Sequence, residues 1–256
     1  MRVRVRGVVI AVLFAALAIH LHAATPEAHR GSTVSFDSSP GKATAYLALP
    51  EGAGIHPAII VIHEWWGLTD WIRDDADRFA RNGYVALAVD LYRGKSTSDP
   101  AEAHELMRGL PEDRANADLT AAFEYLAKRP DVDPKRIGVI GWCMGGGYAL
   151  SFAVSEPKLA AVVVNYGRLI TDPSTIEKLK MPLMGNFGAK DRGITPADVE
   201  QFHRTLEKEL IPHDIRIYDG AGHAFMNPSN QGGFRADDAK DAWERIDRFL
   251  ERTLGG

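Results

Sequence analysis

The sequence predicts an α/β fold in which helices cover both faces of a mainly parallel β-sheet. Two observations predict it. Beyond an N-terminal hairpin, short apolar runs typical of strands alternate with longer runs typical of helices. A glycine-rich strand-to-helix turn at residues 141–145 is also typical of such sheets. Because parallel strands need crossover connections, this alternation places helices on both faces.

The elements follow in chain order. The hairpin joins Thr33–Phe36 to Ala43–Leu49 across the turn residues Asp37 to Gly41. The further strands are predicted at Ala58–Ile62, Val85–Val89, Ile137–Ile140, Ala160–Val164, Pro182–Phe187 and Ile215–Tyr218. The helices are predicted at Trp71–Asn82, Pro100–Gly109, Arg114–Lys128, Gly145–Val154, Pro196–Glu209 and Ala236–Thr253.

The first 24 residues have the pattern of a secretory signal peptide. Arg2, Arg4 and Arg6 give a basic start, and an apolar run from Val8 to Ile19 follows that is too short to span a membrane. We therefore expect a periplasmic or secreted protein with no membrane span after cleavage. An uncleaved N-terminal anchor is the alternative.

Residues 25–256 have a length that suits a single domain. The net charge of −4 and the lack of a basic stripe argue against a nucleic-acid partner. We find no metal-ligand spacing such as Cys-x-x-Cys, and expect neither a metal nor another cofactor. The single cysteine excludes an intramolecular disulfide. A monomer or a small homo-oligomer is expected.

That single cysteine lies within the pattern Gly-x-nucleophile-x-Gly. Gly141-Trp-Cys143-Met-Gly145 follows a predicted strand and opens a predicted helix, which is the context of a nucleophile elbow. The turn forces its central residue into strained geometry, where flanking side chains would collide. The helix N-terminus favours a thiolate. A buried structural cysteine is the alternative.

A thiol nucleophile needs a base and an orienting acid. In hydrolases of this design the chain order is nucleophile, acid, histidine. Asp191 and His223 each come just past the end of a predicted strand, at the sheet edge where Cys143 also lies. His223 would take the thiol proton and Asp191 would orient the imidazole. Asp219 is the competing acid, but it lies on the same strand end as the histidine.

A second block supplies the predicted oxyanion hole. The strand that ends at His63 is followed by Glu64, Trp65, Trp66 and Gly67. In this architecture the loop after that strand gives one backbone N–H, and the residue after the nucleophile gives the other. The donors would be Trp65 and Met144. Glu64 would then point at the active site, unless it is a solvated loop acid.

Together these blocks resemble the dienelactone hydrolase family of the α/β-hydrolase fold. The residues that carry the resemblance are His63–Leu68, Asp70–Ala80, Asn82–Val85, Val89–Tyr92, Gly141–Gly146, Asn165–Gly167, Gly188–Asp191 and Gly222–Phe225. The resemblance implies a cysteine hydrolase acting on a small lactone or carboxylic ester through an acyl-enzyme, with Cys143, His223 and Asp191 as its triad. It also implies that Glu64 pairs with the resting thiol.

The chain departs from the family at one position. Members that hydrolyse dienelactones hold the substrate carboxylate with two arginines, and Arg93 could be the first. Asn227 stands where the second would be expected. A neutral amide gives up the charge-assisted bidentate grip, so a neutral ester or lactone is at least as plausible a substrate.

Aromatic residues near the predicted strand ends suggest a mostly apolar pocket. The candidates for its wall are Tyr92, Arg93, Trp65, Trp66, Trp142, Tyr166 and Phe225. The helix from Pro100 is expected to roof the site. Two other functions stay open: a thiol- or redox-responsive protein, and a non-catalytic ligand-binding protein. A thiol- or redox-responsive protein would be expected to have a resolving cysteine, which this chain does not have. A ligand-binding protein would need neither a base nor an orienting acid.

Overall fold

The computed structural model describes residues 29–255. The strands are β1 (Ser32–Asp37), β2 (Lys42–Ala48), β3 (His56–Ile62), β4 (Val85–Val89), β5 (Val132–Trp142), β6 (Ala161–Asn165), β7 (Leu183–Gly188) and β8 (His213–Tyr218). The helices are α1 (Asp70–Arg81), α2 (Pro100–Arg108), α3 (Glu112–Ala127), α4 (Met144–Ser155), α5 (Pro173–Ile176), α6 (Pro196–Lys208) and α7 (Ala236–Leu254). The predicted signal peptide lies outside these residues.

The strands form one sheet in the order β1-β2-β4-β3-β5-β6-β7-β8. The pairs β1–β2 and β2–β4 are antiparallel, and every other pair is parallel. The predicted α/β-hydrolase architecture is therefore confirmed, including its N-terminal hairpin. Since β3 to β8 are parallel, their carboxyl ends meet at one edge, and side chains from distant segments can converge there.

The sheet separates two hydrophobic cores. Helices α3, α4 and α6 contribute buried residues to one core, and α1 and α7 contribute to the other. Side chains of the central strand β3 alternate between the two faces, with Ile60 in one core and Ile59 in the other. Both are fully buried. This two-sided burial explains why the central strands are apolar at nearly every position.

The helix predictions hold to within one or two residues at each end. Helix α6 begins where its sequence signals it, because Thr195 and Asp198 form a reciprocal capping box and Pro196 occupies the first turn. The four-residue helix α5 was not predicted, and it is too short to show an apolar period. In the part of the chain that is described, no helix combines the length and the apolar character needed to cross a bilayer.

Candidate active site

Cys143 lies at a sharp turn between β5 and α4. Its backbone has φ 54° and ψ −118°, a strained conformation for a residue with a side chain. The flanking glycines are required by space: a Cβ on Gly141 would lie 2.1 Å from the Gly145 carbonyl oxygen, and one on Gly145 would lie 2.3 Å from that of Ile62. The structure thus has the predicted elbow, with the half-buried sulfur next to a helix N-terminus.

Three side chains from separate segments meet at this turn. The Cys143 Sγ lies 3.0 Å from Nε2 of His223, and the Nδ1 of His223 lies 2.7 Å from Oδ2 of Asp191. Asp191 follows β7 and His223 follows β8. The structure therefore brings together the three residues that the sequence singled out. Asp219, the competing acid, has no hydrogen bond to His223 among the described residues.

Asp191 is held as a carboxylate. Its side chain is buried, and burial alone would favour the neutral acid. Hydrogen bonds from His223 and from the backbone N–H groups of Gly193 and Ile194 outweigh burial and lower the pKa of Asp191. The loop after β7 thus fixes both the charge and the direction of this side chain.

His223 is held as an imidazolium. Partial burial disfavours the charge, but hydrogen bonds to Asp191 and Cys143 outweigh it and raise the pKa of His223 to about 10. With Asp191 on Nδ1, the Nε2 faces the sulfur, which is the geometry of proton transfer between the two. The imidazole is thus placed to hold the proton that the Cys143 sulfur gives up.

Two backbone N–H groups near the sulfur are free. Met144 is the first residue of α4, and Trp65 follows Glu64 in the loop after β3. Within residues 29–255, neither N–H donates a hydrogen bond. They lie in the two segments from which this architecture builds an oxyanion hole.

Glu64 is not bound to the resting thiol. Its side chain is buried, Oε2 accepts a hydrogen bond of 2.6 Å from Nδ2 of Asn227, and Oε1 has no partner in the described part of the chain. Burial raises the pKa of Glu64 to about 7, against the opposing effects of Asn227, His223 and Tyr166. The expected Glu64–Cys143 pair is therefore wrong for this structure, because His223 takes the sulfur and Asn227 takes the acid.

The two residues expected to bind a substrate carboxylate have other partners. Nη2 of Arg93 donates to the fully buried Asp118 at 2.8 Å, and Nη1 donates to the Pro40 carbonyl oxygen. Asn227 is buried, and besides donating to Glu64 it accepts from the Ser229 N–H at 2.8 Å. These contacts tie both side chains to the protein, although the buried Nε of Arg93 has no partner among residues 29–255, and the predicted role of the two residues in substrate binding stays a prediction.

The aromatic candidates separate into three groups by their burial and contacts. Trp65 and Trp66 are half-buried and pack edge to face with ring centroids 4.8 Å apart. Tyr166, Phe225 and Trp142 are fully buried, so they support the site from behind and do not line an open pocket. Tyr92 is nearly buried, and its hydroxyl donates to Sδ of Met144 at 3.3 Å.

A chain of buried polar side chains under the elbow was not predicted as part of the site. Asn165 donates from Nδ2 to the Gly141 carbonyl oxygen at 3.2 Å, and Asn186 donates to Oδ1 of Asn165 at 2.8 Å. Arg245 donates to Asn186 and to Asp214. Two asparagines in otherwise apolar strands were the sequence signal that could have revealed it. The chain ties the turn that carries Cys143 to β6, β7 and β8.

Helix α2 lines a hollow beside α4, and its predicted place over the catalytic residues stays a prediction. Its residue Met107 and the following Leu110 line a hollow of about 320 Å³ together with Met144 and Tyr148 of α4. Arg168, Glu112, Gly147 and Ser151 complete its lining. Met144 is the residue that follows Cys143 in the chain, whereas Cys143 itself does not line the hollow.

A group that could hold a metal ion occurs elsewhere among the described residues. His29, Asp74 and Asp77 place ligand atoms within 4.8 Å of one another. Their spacing in the sequence matches none of the short metal motifs, because His29 lies far from the helix that carries the two acids. None of the three belongs to the group around Cys143.

Comparison with known proteins agrees with this geometry. The model of the "Dienelactone hydrolase family" matches residues 43–254. The chain belongs to the dienelactone hydrolase family. It is therefore a carboxylic ester hydrolase of the α/β-hydrolase fold, as the sequence resemblance implied.

Similar members of the family span nearly the whole described chain. "Protein usf" of Aquifex pyrophilus is 32% identical over 231 residues, which cover 88% of this chain and 99% of the relative. A protein of Aquifex aeolicus named "Putative carboxymethylenebutenolidase" is 30% identical with the same coverage. The crystal structure of a "Putative Dienelactone Hydrolase" from Klebsiella pneumoniae superposes with a TM-score of 0.79 at 30% identity, covering 86% of this chain and 97% of the other.

Proposed function

We propose that the protein cleaves a small carboxylic ester or lactone with Cys143 as the nucleophile, through an acyl-enzyme, in the manner of a carboxymethylenebutenolidase. The observation that carries this proposal is the continuous set of contacts from sulfur to imidazole to carboxylate, 3.0 Å and 2.7 Å long. A thiol in a purely structural role would need neither contact. A redox sensor would need no orienting acid.

The proposed reaction begins with the thiolate that His223 maintains. The sulfur attacks the carbonyl carbon, and the N–H groups of Trp65 and Met144 bind the oxygen as it becomes negative. The imidazolium of His223 then gives its proton to the departing alkoxide, which leaves the acyl group on Cys143. Water attacks the acyl-enzyme, His223 accepts the water's proton, and collapse releases the acid and the thiolate. Asp191 keeps the imidazole oriented throughout.

We propose a neutral substrate at this site. Arg93 is paired with Asp118, and Asn227 holds Glu64. A substrate carboxylate would therefore have to compete with the partners that both of the suggested anchors already have. Burying an unpaired carboxylate beside the buried Glu64 would be unfavourable.

The test is hydrolysis of p-nitrophenyl acetate and a panel of neutral and anionic enol lactones. The native protein is expected to turn over the neutral compounds. Cys143→Ala should abolish this activity, and Cys143→Ser should reduce kcat/KM by about three orders of magnitude, because a hydroxyl is a poorer nucleophile in a site arranged for a thiolate. No turnover of any ester by the native protein would count against the proposal.

We also propose that the protein is exported, on the pattern of residues 1–24 alone. Expression of the full chain in a Gram-negative host, followed by fractionation and N-terminal sequencing, tests this. A mature N-terminus near residue 25 in the periplasmic fraction is expected. An intact N-terminus in the cytoplasmic fraction would contradict export.

A further inference from the structure

Three buried oxygen atoms near the triad have no hydrogen-bond partner within residues 29–255. They are Oε1 of Glu64, Oδ2 of Asp75 and the hydroxyl of Tyr166. They come from three segments: the loop after β3, helix α1 and the loop after β6. Buried polar atoms without a partner are uncommon and unfavourable, so each one calls for a reason.

Tyr166 is held firmly in an unfavourable conformation. Its φ is 39°, which is rare for a bulky residue, and its side chain is fully buried. The Tyr166 N–H donates to the Asn186 carbonyl oxygen at 2.8 Å, and its ring lies 5.3 Å from that of His223 and 5.6 Å from that of Phe225. Such strain persists only where the surroundings impose it, and it concentrates at functional sites.

The Glu64 carboxyl has one oxygen fixed and one free. Asn227 cannot turn to serve both, because its own Oδ1 accepts from the Ser229 N–H. The Tyr166 hydroxyl is close enough to the Glu64 carboxyl to favour its ionised form. Burial and the negative charge of Glu64 in turn raise the pKa of Tyr166 well above its usual value, so the phenol stays a donor.

We propose that Tyr166 is a positioning residue for hydrolysis: its hydroxyl donates to Oε1 of Glu64 when that carboxyl ionises, and this bond sets the pH at which the buried acid gains its charge. In that state each of these two atoms has the hydrogen-bond partner that it otherwise lacks. The charge on Glu64 in turn favours the imidazolium of His223, with which Glu64 interacts electrostatically.

The other groups that face this pair do not provide the same donor. Asp75 on α1 is buried, and burial raises its pKa well above the usual range, helped by Asp74 and Glu64 and opposed by Arg78. Asp75 is therefore an acid without a second neutral donor to offer once it ionises. Cys143 on α4 interacts with Tyr166, and Asn227 binds the opposite oxygen of Glu64. Tyr166 is the member of this group whose neutral hydroxyl can donate a hydrogen bond to Glu64.

The pKa of Glu64 is about 7, and a donor to its ionised form holds that value down. Removing the Tyr166 hydroxyl should raise it, so any rate that depends on ionised Glu64 should begin to rise at a higher pH. We expect a displacement of about half to one pH unit for one hydrogen bond to a buried carboxylate.

The experiment measures kcat/KM for p-nitrophenyl acetate and the rate of iodoacetamide alkylation of Cys143 from pH 5 to 9. The variants are Tyr166→Phe, Glu64→Gln and the double variant, with Tyr84→Phe as the control because that buried tyrosine on the α1–β4 connection has no contact with the triad. Tyr166→Phe should shift the acid limb, which is expected near pH 7, to higher pH in both the kcat/KM profile and the alkylation profile. Tyr84→Phe should leave both unchanged, and Tyr166→Phe should have no further effect on the limb in the Glu64→Gln background.

Two results would overturn the proposal: an unmoved limb in folded Tyr166→Phe, or an equal displacement when Glu64 is already Gln. Should Tyr166→Phe fail to fold, 3-fluorotyrosine at position 166 is the second variant. It keeps the hydroxyl as a stronger donor, so the limb should move downward, and an upward or absent movement would contradict the proposal.

The inference rests on the proposed thiol hydrolysis only for the ester profile. The alkylation profile reports the charge next to the sulfur without any turnover. If no ester is hydrolysed but the alkylation limb still moves in Tyr166→Phe, the proposed function fails and this inference stands. If esters are hydrolysed but neither limb moves, this inference fails alone.

Discussion

The two acids near Cys143 have opposite surroundings. Asp191 receives hydrogen bonds from His223, Gly193 and Ile194, and its pKa is lowered. Glu64 receives one hydrogen bond from a neutral amide and leaves an oxygen unpaired, and its pKa is raised to about 7. The side of the site built from β7 and β8 therefore holds its charges permanently. The side built from β3 is able to gain or lose a proton near neutral pH.

This difference assigns distinct tasks to two buried carboxyl groups. Burial raises the pKa of both, but it is more complete around Glu64, whereas the donors around Asp191 are more numerous and outweigh it. Asp191 gives His223 a constant orientation and a constant counter-charge. Glu64 adds a charge that depends on pH. Substitutions at the two acids should therefore differ in both size and pH dependence.

Asp191→Asn should have the largest effect of the two acid substitutions. The amide keeps the shape but cannot stabilise the imidazolium, and it favours the wrong tautomer of His223, so kcat/KM should fall by about 10³ to 10⁴ at every pH. Steady-state hydrolysis of p-nitrophenyl acetate measures it. A loss confined to one side of pH 7 would show that Asp191 also titrates, which would remove the contrast with Glu64.

Glu64→Gln should have a smaller effect that depends on pH. At pH 6 the native Glu64 is mostly protonated, and the neutral Gln side chain resembles it. At pH 8 the native Glu64 is mostly ionised, and the variant lacks that negative charge. The ratio of native to variant kcat/KM should therefore rise from near one to about tenfold. A ratio that is constant from pH 6 to 8 would mean that the charge of Glu64 has no role.

The same substitution should stabilise the folded protein at high pH. Burial raises the pKa of Glu64 from 4.5 to about 7, so the folded state binds the proton more tightly than the unfolded state does. Native stability therefore falls as pH rises from 4.5 to 7, by about 3 kcal/mol in total, and Glu64→Gln avoids this loss. Urea unfolding at pH 5 and pH 8 tests it. Equal effects at the two pH values would contradict the raised pKa.

Arg93→Gln should affect stability and leave the chemistry almost unchanged. The substitution leaves the fully buried Asp118 without its cation, which should cost about 3 kcal/mol of unfolding free energy. For neutral esters, kcat/KM should stay within about twofold of the native value. Urea unfolding and steady-state kinetics on the same preparation measure both. An increase in KM for an anionic lactone, without a matching increase for neutral esters, would show that Arg93 binds the substrate carboxylate.

The sequence predicts the nucleophile side of the site better than the Glu64 side for a physical reason. Cys143, Asp191 and His223 each follow a strand in a parallel sheet, so strand order alone brings them to one edge, and the glycines at 141 and 145 mark the turn. The resemblance to a family also predicted the fold and the class of enzyme, and both are confirmed by the family match.

The partners of Glu64, Arg93 and Asn227 could not be predicted in this way. Each depends on which of several nearby groups a side chain reaches: Asn227 turns inward because Ser229 binds its oxygen, and Arg93 turns to Asp118 on α3. The positive φ of Tyr166 likewise has no sign in the local sequence. These contacts are set by packing between segments that are far apart in the chain.

The most direct test of the central claim is to trap the acyl-enzyme. The protein is mixed with p-nitrophenyl acetate, quenched in acid within the first turnovers, digested and analysed by mass spectrometry, with Cys143→Ala as the control. We expect one acetyl group on the peptide that contains Cys143, bound as a thioester that hydroxylamine releases, and none in the control. Turnover that continues in Cys143→Ala, or an acetyl group on another residue as the reactive intermediate, would contradict it.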